Sequence, residues 1–353
     1  VVKLVKVLIT GSNGFLGSHL VDFCISNNHV VYGLDHPSAS FYNLKHHFNE
    51  RKSLVKLKKK KFCGKKILIP SDEPHLSFLE CELSDDRLLE HIIRELKPEL
   101  IFHFAAQPYV LRSWEDPVET IETNVIGTLN IFEPIKKYDI KSRVILACSS
   151  TEFGSTAYKG EPLKEDDPLL ALHPYGISKV AAELLSRQYW INFKIETINL
   201  RFFNLTGTRR VNDVTSDFIQ NVARIELGLQ PPTIEVGNLE PYRDFLDVRD
   251  AVEAIWTSAT KGTPGETYHV CSGKKTQIKE LLAIALSFTN KQIEVKKNVD
   301  HKLRKVDESV IIGDNSKIRK EFGWSASHSL EKTLREMFDY WIQFYSNADQ
   351  AKK

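Results

Sequence analysis

Through position 202 the chain alternates short β-branched runs with helical apolar patterns. The runs Lys6–Thr10, His29–Leu34, Leu100–Ala105, Arg143–Cys148 and Glu196–Phe202 read as strands, and Gly17–Asn27, Asp85–Leu96, Val118–Tyr138 and Pro174–Phe193 as helices. In Asp85–Leu96, the residues Leu88, Leu89, Ile92, Ile93 and Leu96 fall on one face, and Pro98 stops the helix. Strands that alternate with helices in this way predict an α/β chain with a parallel sheet covered on both faces. After Asn204 the elements shorten and turns multiply, which predicts a smaller lobe built partly from the C-terminal region; no internal repeat is evident.

At 353 residues the chain is long enough for one large two-lobed unit or two domains. Its 42% hydrophobic content includes no apolar run near the roughly 18 residues a membrane span needs. Val1–Thr10 mixes Val, Leu and Ile with Lys3 and Lys6, a strand pattern rather than a secretion signal. A net charge of +2 gives no case for a nucleic-acid partner. The cysteines Cys24, Cys63, Cys81, Cys148 and Cys271 are scattered and odd in number, without a CxxC pair or zinc spacing. A reduced, cytoplasmic chain with no metal is the expectation. One segment breaks the alternation: Glu50–Lys66 carries eight lysines and reads as a solvated surface insertion, with a polyanion or partner site as the other reading.

Gly11-Ser12-Asn13-Gly14-Phe15-Leu16-Gly17 stands between the first strand and the first helix. Gly11 permits the turn, Gly14 lets the backbone approach a pyrophosphate, and Gly17 lets helix and strand pack closely; the helix N-terminus then faces the phosphates. Asp35, about 20 residues on, completes a dinucleotide fingerprint. Its carboxylate suits a ribose 2′-hydroxyl and repels a 2′-phosphate, which favours NAD; His36 or the inserted lysines leave NADP possible.

Tyr175 and Lys179 form a Tyr-x-x-x-Lys pair just after Pro174, on one helix face. A phenol with a pKa near 10 is a poor base at neutral pH. A neighbouring ammonium and a positive nicotinamide ring favour the phenolate, so Tyr175 can exchange a proton with a reacting hydroxyl while hydride moves to or from the nicotinamide. Lys179 can also hold the nicotinamide ribose. Ser149, at the end of the strand Arg143–Cys148, supplies a hydroxyl that orients the reacting oxygen.

These residues carry a family resemblance over nearly the whole chain. With His103-Phe104-Ala105-Ala106-Gln107, Asn124–Thr128, Ser149–Gly154, Arg201–Asn204 and Arg243–Val248, the sequence resembles the extended short-chain dehydrogenase/reductases of the nucleotide-sugar epimerase, dehydratase and reductase group. Within that group it resembles the GDP-mannose 4,6-dehydratases and the GDP-4-keto-6-deoxy-mannose reductases. The resemblance implies a Rossmann-like, doubly wound parallel sheet with a smaller, mainly C-terminal substrate lobe. Residues 1–202, with 243–273 returning, would form the NAD(P) domain; 203–242 and 274–353 would form the substrate lobe. It also implies cofactor contacts from Gly11, Asn13, Gly14, Phe15, Leu16, Gly17 and Asp35, from Glu82 and Leu83 near the adenine, from Ala105, Ala106, Gln107 and Asn124, and from Tyr175 and Lys179. Ser150, Thr151, Asn204, Arg209, Arg210, Arg243 and Arg304 would meet the nucleotide-diphosphate sugar, the arginines by forked pairing with phosphate. A homodimer through a four-helix bundle of Val118–Tyr138 and Pro174–Phe193 is implied as well.

Departures from the family pattern choose among reactions. Dehydratases of this kind keep a glutamate two residues after the strand-end serine or threonine; here that position is Thr151, and Glu152 follows one later. A threonine has no useful basicity, and the offset carboxylate points out of line unless a local bulge restores it. Leu205 replaces a polar residue, and His269 stands where the family usually has asparagine. The expectation is reduction at C4 of a GDP-linked hexose, with dehydration or 4-epimerisation as alternatives and a non-catalytic NAD sensor as a remote one.

Overall fold

Val7, Leu8 and Ile9 are fully buried, so the first strand, β1 (Lys6–Thr10), is covered on both faces, as a central parallel strand must be. The computed structural model describes residues 4–48, 59–62, 64–71, 73–302 and 308–350. After β1 come α1 (Phe15–Ser26), β2 (Val30–Asp35), β3 (Lys60–Phe62), β4 (Lys65–Pro70), β5 (Leu76–Glu80), α2 (Asp86–Leu96) and β6 (Leu100–His103). There follow α3 (Val110–Glu115), α4 (Pro117–Ile121), α5 (Gly127–Lys137), β7 (Arg143–Ser149), α6 (Pro174–Phe193) and β8 (Thr197–Phe202). Among the described residues the main sheet has nine strands, in the order Thr267–Val270, β8, β7, β6, β1, β2, β5, β4, β3. The run β7, β6, β1, β2, β5 is parallel. Connections leave β1 toward β2 on one side, while β6 lies on its other side. Such a reversal opens a crevice at the carboxyl ends of the strands, where α/β proteins bind ligands.

Helix α2 shows how local sequence dictates a packed element. Asp85 caps it by accepting from Leu88 N at 2.9 Å, and Lys97 ends it in a left-handed conformation ahead of Pro98. Leu88, Leu89, Ile92, Ile93 and Leu96 are all buried in the core between the sheet and α5, each contributing about 1.5–3 kcal/mol.

Several elements differ from their predicted form. Helix α1 starts at Phe15, two residues earlier than predicted, because Gly14 takes the extended N-cap position. Strand β6 ends at His103 rather than Ala105, since Phe104 N and Ala105 N both turn to Thr10 Oγ1 at 3.1 Å. The single helix predicted over Val118–Tyr138 is opened at Glu122–Ile126 into a π-helical turn. The lysine-rich insertion is not wholly loop. Lys60–Phe62 and Lys65–Pro70 form an antiparallel pair that extends the sheet beside β5, with Ile67 and Ile69 buried. Lys59 pairs with Glu80, and Lys65 with Asp85 at 3.2 Å. Residues 49–58 and Cys63 lie outside the described residues.

The chain divides into two units. The first comprises Val1–Gly154, Leu169–Arg201 and Val252–Tyr268; the second comprises Ser155–Pro168, Phe202–Ala251 and His269–Lys353. Of the stretch 243–273 expected in the first domain, only Val252–Tyr268 clusters there. Ser155–Pro168 belongs to the second unit because Leu163 N donates to Ile312 O and Asp314 N to Leu163 O, at 2.9 and 2.8 Å. The flanking 243–251 stays in the second unit because its aspartates are structural hubs. Asp244 accepts from Ser272 N, Ser272 Oγ and Gly273 N at 2.7–2.9 Å. Asp247 pairs with Arg249 at 2.7 Å and accepts from Thr333 Oγ1 at 2.6 Å, and Asp250 accepts from Ser327 Oγ and His328 N. Helices α7 (Val214–Glu226), α8 (Val248–Lys261), α9 (Ile278–Leu286), α10 (Ser316–Phe322) and α11 (Leu330–Gln350) complete the chain; α7, α9 and α11 enclose the second core. Among the described residues no helix is long and apolar enough to cross a membrane.

Candidate active site

The glycine loop is built by exclusion of side chains. A Cβ at Gly17 would lie 2.1 Å from Gly11 O, and Gly11 itself sits at φ +71°. Within 4 Å, a Cβ at Gly14 would meet only Gly11 O at 3.1 Å, so the face of the loop above exposed Gly14 is open. The first-turn N–H groups of α1, led by Phe15 and Leu16, lack intrahelical acceptors, and the loop meets the needs of a pyrophosphate.

Asp35 sits beneath this loop, almost fully buried. Its Oδ1 accepts from Asn13 N at 2.9 Å and its Oδ2 from Ser12 Oγ, so the carboxylate pins the loop as well as ending β2. Burial raises its pKa from 3.8 to about 6, against the lowering effect of those two hydrogen bonds. Between those values the folded chain holds a proton that the unfolded chain has lost. The stability from this group is therefore complete below about pH 4 and is lost as pH rises through 6. In Asp35→Asn, stability relative to the parent chain should rise by about 1.4 kcal/mol between pH 5 and 7.5, measured as urea-unfolding free energies at both pH values; a pH-independent difference would refute the buried-carboxylate account. Glu82 is exposed and faces His36 at 3.4 Å. Leu83 is buried against Gly127, and its carbonyl accepts from Asn130 Nδ2 at 2.8 Å.

A buried relay sets the loop that carries Ala105, Ala106 and Gln107. Thr10 Oγ1 accepts from Phe104 N and Ala105 N, so its hydroxyl proton goes to His103 Nδ1, 2.8 Å away. His103 Nε2–H then donates to Thr128 Oγ1 at 3.1 Å, and Thr128 donates to Asn124 O at 2.6 Å. This tautomer needs a neutral ring. Burial, then the Lys179 charge, lowers the His103 pKa to about 3. Asn124, in the π-helical turn, accepts from Gln107 N at 2.8 Å and donates to Gln107 O at 3.1 Å and to Ser178 Oγ at 2.9 Å. It thus ties the loop to α6 from a buried position. The relay through Thr10 and Thr128 escaped the sequence reading, since two threonines in separate elements carry no spacing signal.

Pro174 opens α6, capped by His173 Nδ1 accepting from Gly176 N at 3.0 Å. A Cβ at Gly176 would come within 2.8 Å of Thr151 O, so the helix lies directly against the turn that bears Ser149. Lys179 Nζ stands 5.9 Å from the Tyr175 ring centroid and donates to Ala147 O at 2.8 Å. Burial lowers the Lys179 pKa, while Cys148 and Glu152 oppose that shift. Ser149 Oγ lies 2.9 Å from Thr151 Oγ1 and accepts from Thr151 N at 3.2 Å. Ser150 is buried beside it. Ser149, Tyr175 and Lys179 thus share the β7–α6 edge of the first unit.

Glu152 is turned away from this edge. It is wholly buried, accepts from Ser149 N at 2.7 Å, and lies 3.5 Å from Arg201. Arg201 makes a forked pair with Glu183 at 2.6 and 2.9 Å. Burial, then the neighbouring Glu183 carboxylate, raises Glu152 well above the carboxylate range, whereas Arg201 helps hold Glu183 low. Glu152 therefore faces Glu183 and Arg201 in the core, and no local bulge returns it to the open side.

The second unit holds a cavity of about 530 Å³. Asn204 and Arg243 line it, with Val236, Leu239 and Phe218 for apolar walls and Lys302 and Arg224 for charge. Arg243 Nη1 is fixed by Glu308 O at 2.7 Å and Tyr242 O at 2.8 Å. Lys302, paired with Asp217 at 3.0 Å, went unnoticed in the sequence. Arg210 pairs with Asp213 at 2.7 Å, and neither it nor Arg209 lines the cavity. Arg304 lies outside the described residues.

Residues 8–337 match the family model described as GDP-mannose 4,6 dehydratase. The chain is 28% identical over 245 residues to GDP-6-deoxy-D-mannose reductase of Pseudomonas aeruginosa, covering 69% of this chain and 80% of that protein. It is 28% identical over 352 residues to GDP-mannose 4,6 dehydratase 1 of Arabidopsis thaliana, covering 96% and 90%. The structure of RMD from Pseudomonas aeruginosa complexed with NADPH superposes with a TM-score of 0.77 at 24% identity, over 96% of this chain and 99% of that one; this likeness concerns the fold.

Proposed function

Because the chain belongs to the GDP-mannose 4,6 dehydratase family, we propose that it is an NAD(P)-dependent oxidoreductase acting at C4 of a GDP-linked hexose, in the form of a GDP-4-keto-6-deoxy-mannose reductase. The observation that carries the choice of reaction is the burial of Glu152. Dehydration needs a base to remove the C5 proton, and the loop after Ser149 offers a threonine hydroxyl, while the Glu152 carboxyl is buried in the core beside Arg201 and Glu183. The hydroxyl has no useful basicity at neutral pH, and the buried carboxyl stands away from the open edge.

The open glycine loop fits a dinucleotide, and when bound the nicotinamide supplies the hydride to C4. Tyr175 gives its phenolic proton to O4, Ser149 orients the keto oxygen, and Lys179, held by Ala147 O, stabilises the phenolate that remains until solvent reprotonates it. Asp35 below the loop and Glu82 facing His36 make a 2′-phosphate unwelcome, which favours NAD over NADP. The cavity of the second unit receives the nucleotide, with Arg243 and Lys302 toward its phosphates.

Two substrates separate the rival reactions. GDP-4-keto-6-deoxy-mannose with NADH or NADPH should consume reduced cofactor in equal amount; formation of that keto sugar from GDP-mannose with no net cofactor change would make the protein a dehydratase. Glu152→Gln sharpens the test. The amide can still accept from Ser149 N and donate to Glu183, so kcat should stay within about threefold, whereas loss of a working base costs about 10²–10⁴-fold.

We infer a homodimer as well. On α6, Ile177, Leu184 and Ile191 are exposed at intervals of seven, and Val118 and Ile126 are exposed on the neighbouring helical segment. A repeat of seven leaves one seam for a second copy of the same helices. Leu184→Glu should sediment as a monomer where the parent chain sediments as a dimer; a monomeric parent chain would sink the inference.

A further inference from the structure

Outside the catalytic edge, the first unit gathers three ligand-type side chains. Asp22 lies on α1, and His46 and His47 end the 3₁₀ turn Tyr42–His47. Both imidazole Nε2 atoms stand 2.8 Å from the same Asp22 Oδ1, and the rings are 4.2 Å apart between centroids. All three ligand atoms lie within 4.8 Å of one another. His47 is buried, Asp22 partly exposed and His46 exposed, so the cluster is walled on one side and open to water on the other.

From this geometry we propose that Asp22, His46 and His47 form a binding site for a divalent transition metal of the zinc class. A tetrahedral ion with bonds of about 2.0–2.2 Å separates its ligands by about 3.3 Å. The two nitrogens therefore need to withdraw from Oδ1 by only about half an ångström. Each ring keeps its remaining proton on Nδ1 and presents the Nε2 lone pair, and water fills the fourth position on the His46 side. Two imidazoles with one carboxylate select zinc, nickel, cobalt or copper over magnesium and calcium, which prefer all-oxygen sites.

The site reaches toward the dinucleotide loop. Asn43, in the same 3₁₀ turn, donates from Nδ2 to Asn13 O at 2.9 Å, and Asp22 sits on the helix that this loop opens. An ion that clamps the turn to α1 also fixes Asn13, so metal and dinucleotide should bind with positive coupling.

Calorimetric titration of the full chain with zinc chloride tests this. We expect one saturable site whose affinity falls by about tenfold or more in both His46→Ala and Asp22→Asn, and tighter NADH binding in the presence of zinc. His46 is exposed, so His46→Ala should keep the parent circular dichroism and NADH affinity without zinc. An absence of saturable heat, or equal zinc affinity in parent and variants, would overturn the site. A saturable site with unchanged NADH affinity would overturn the coupling. All of these outcomes can be read without assaying turnover, so they are independent of the reductase assignment.

Discussion

Tyr175→Phe should lower kcat by about 10²–10⁴-fold and leave the NADH dissociation constant within about twofold. The substitution removes one oxygen. It leaves the helix start, where Pro174 and the His173 cap fix the first turn, and it leaves Lys179 bonded to Ala147 O. The loss should therefore fall on the proton transfer alone. Stopped-flow kinetics of NADH oxidation, with a separate fluorescence titration of NADH, checks both halves. Near-normal turnover would remove Tyr175 from the chemistry, and with it the assignment of Ser149 and Lys179 as its partners.

The largest effect on stability should come from Arg201→Met, at about 3–5 kcal/mol. Arg201 is buried, with its guanidinium 5.0 Å from the centre of the Phe153 ring and its fork on Glu183. Methionine fills much of the volume but removes the guanidinium that forks onto Glu183 and lies 3.5 Å from Glu152, so two buried carboxyl groups lose their cation. The double variant Arg201→Met/Glu183→Leu should recover most of the loss, since removing both charges of a buried pair is often close to neutral. Denaturant unfolding of the two variants measures the difference. If the double variant were as unstable as the single one, packing against Phe153 rather than charge would be the cause. Because Glu152 also holds Ser149 N, the single variant should disturb catalysis through the position of Ser149, and the pH profile should shift with it.

The parallel core was legible because β1, β6 and β7 each centre on a run of apolar residues buried on both faces, while β8 sets Ile198, Leu200 and Phe202 between buried Thr197, Asn199 and Arg201. The strands β3, β4 and β5 were missed. The lysines of β3 and β4 masked the alternation that buries Ile67 and Ile69, β5 is a short five-residue run, LSFLE, and pairing at a sheet edge is decided by neighbours distant in sequence. The glycine loop was equally plain, since only residues without a Cβ tolerate an approach of 2.1 Å at position 17. The Tyr-x-x-x-Lys pair was readable because four residues make one helical turn. Arg209 and Arg210 looked equivalent to Arg243 as phosphate ligands, yet only Arg243 lines the cavity.

By itself, then, the sequence determined whatever depends on near neighbours: strand and helix periods, the bare backbone of the glycine loop, and the shared face of Tyr175 and Lys179. Tertiary structure alone decided the environment of each polar group. It turned Asp35 into a buried brace for the loop, made His103 a neutral relay, and buried Glu152 against Arg201 and Glu183 rather than leaving it at the open edge beside Ser149. The reason is physical: period and sterics act over a few residues, whereas desolvation and charge pairing depend on which segments the fold brings together.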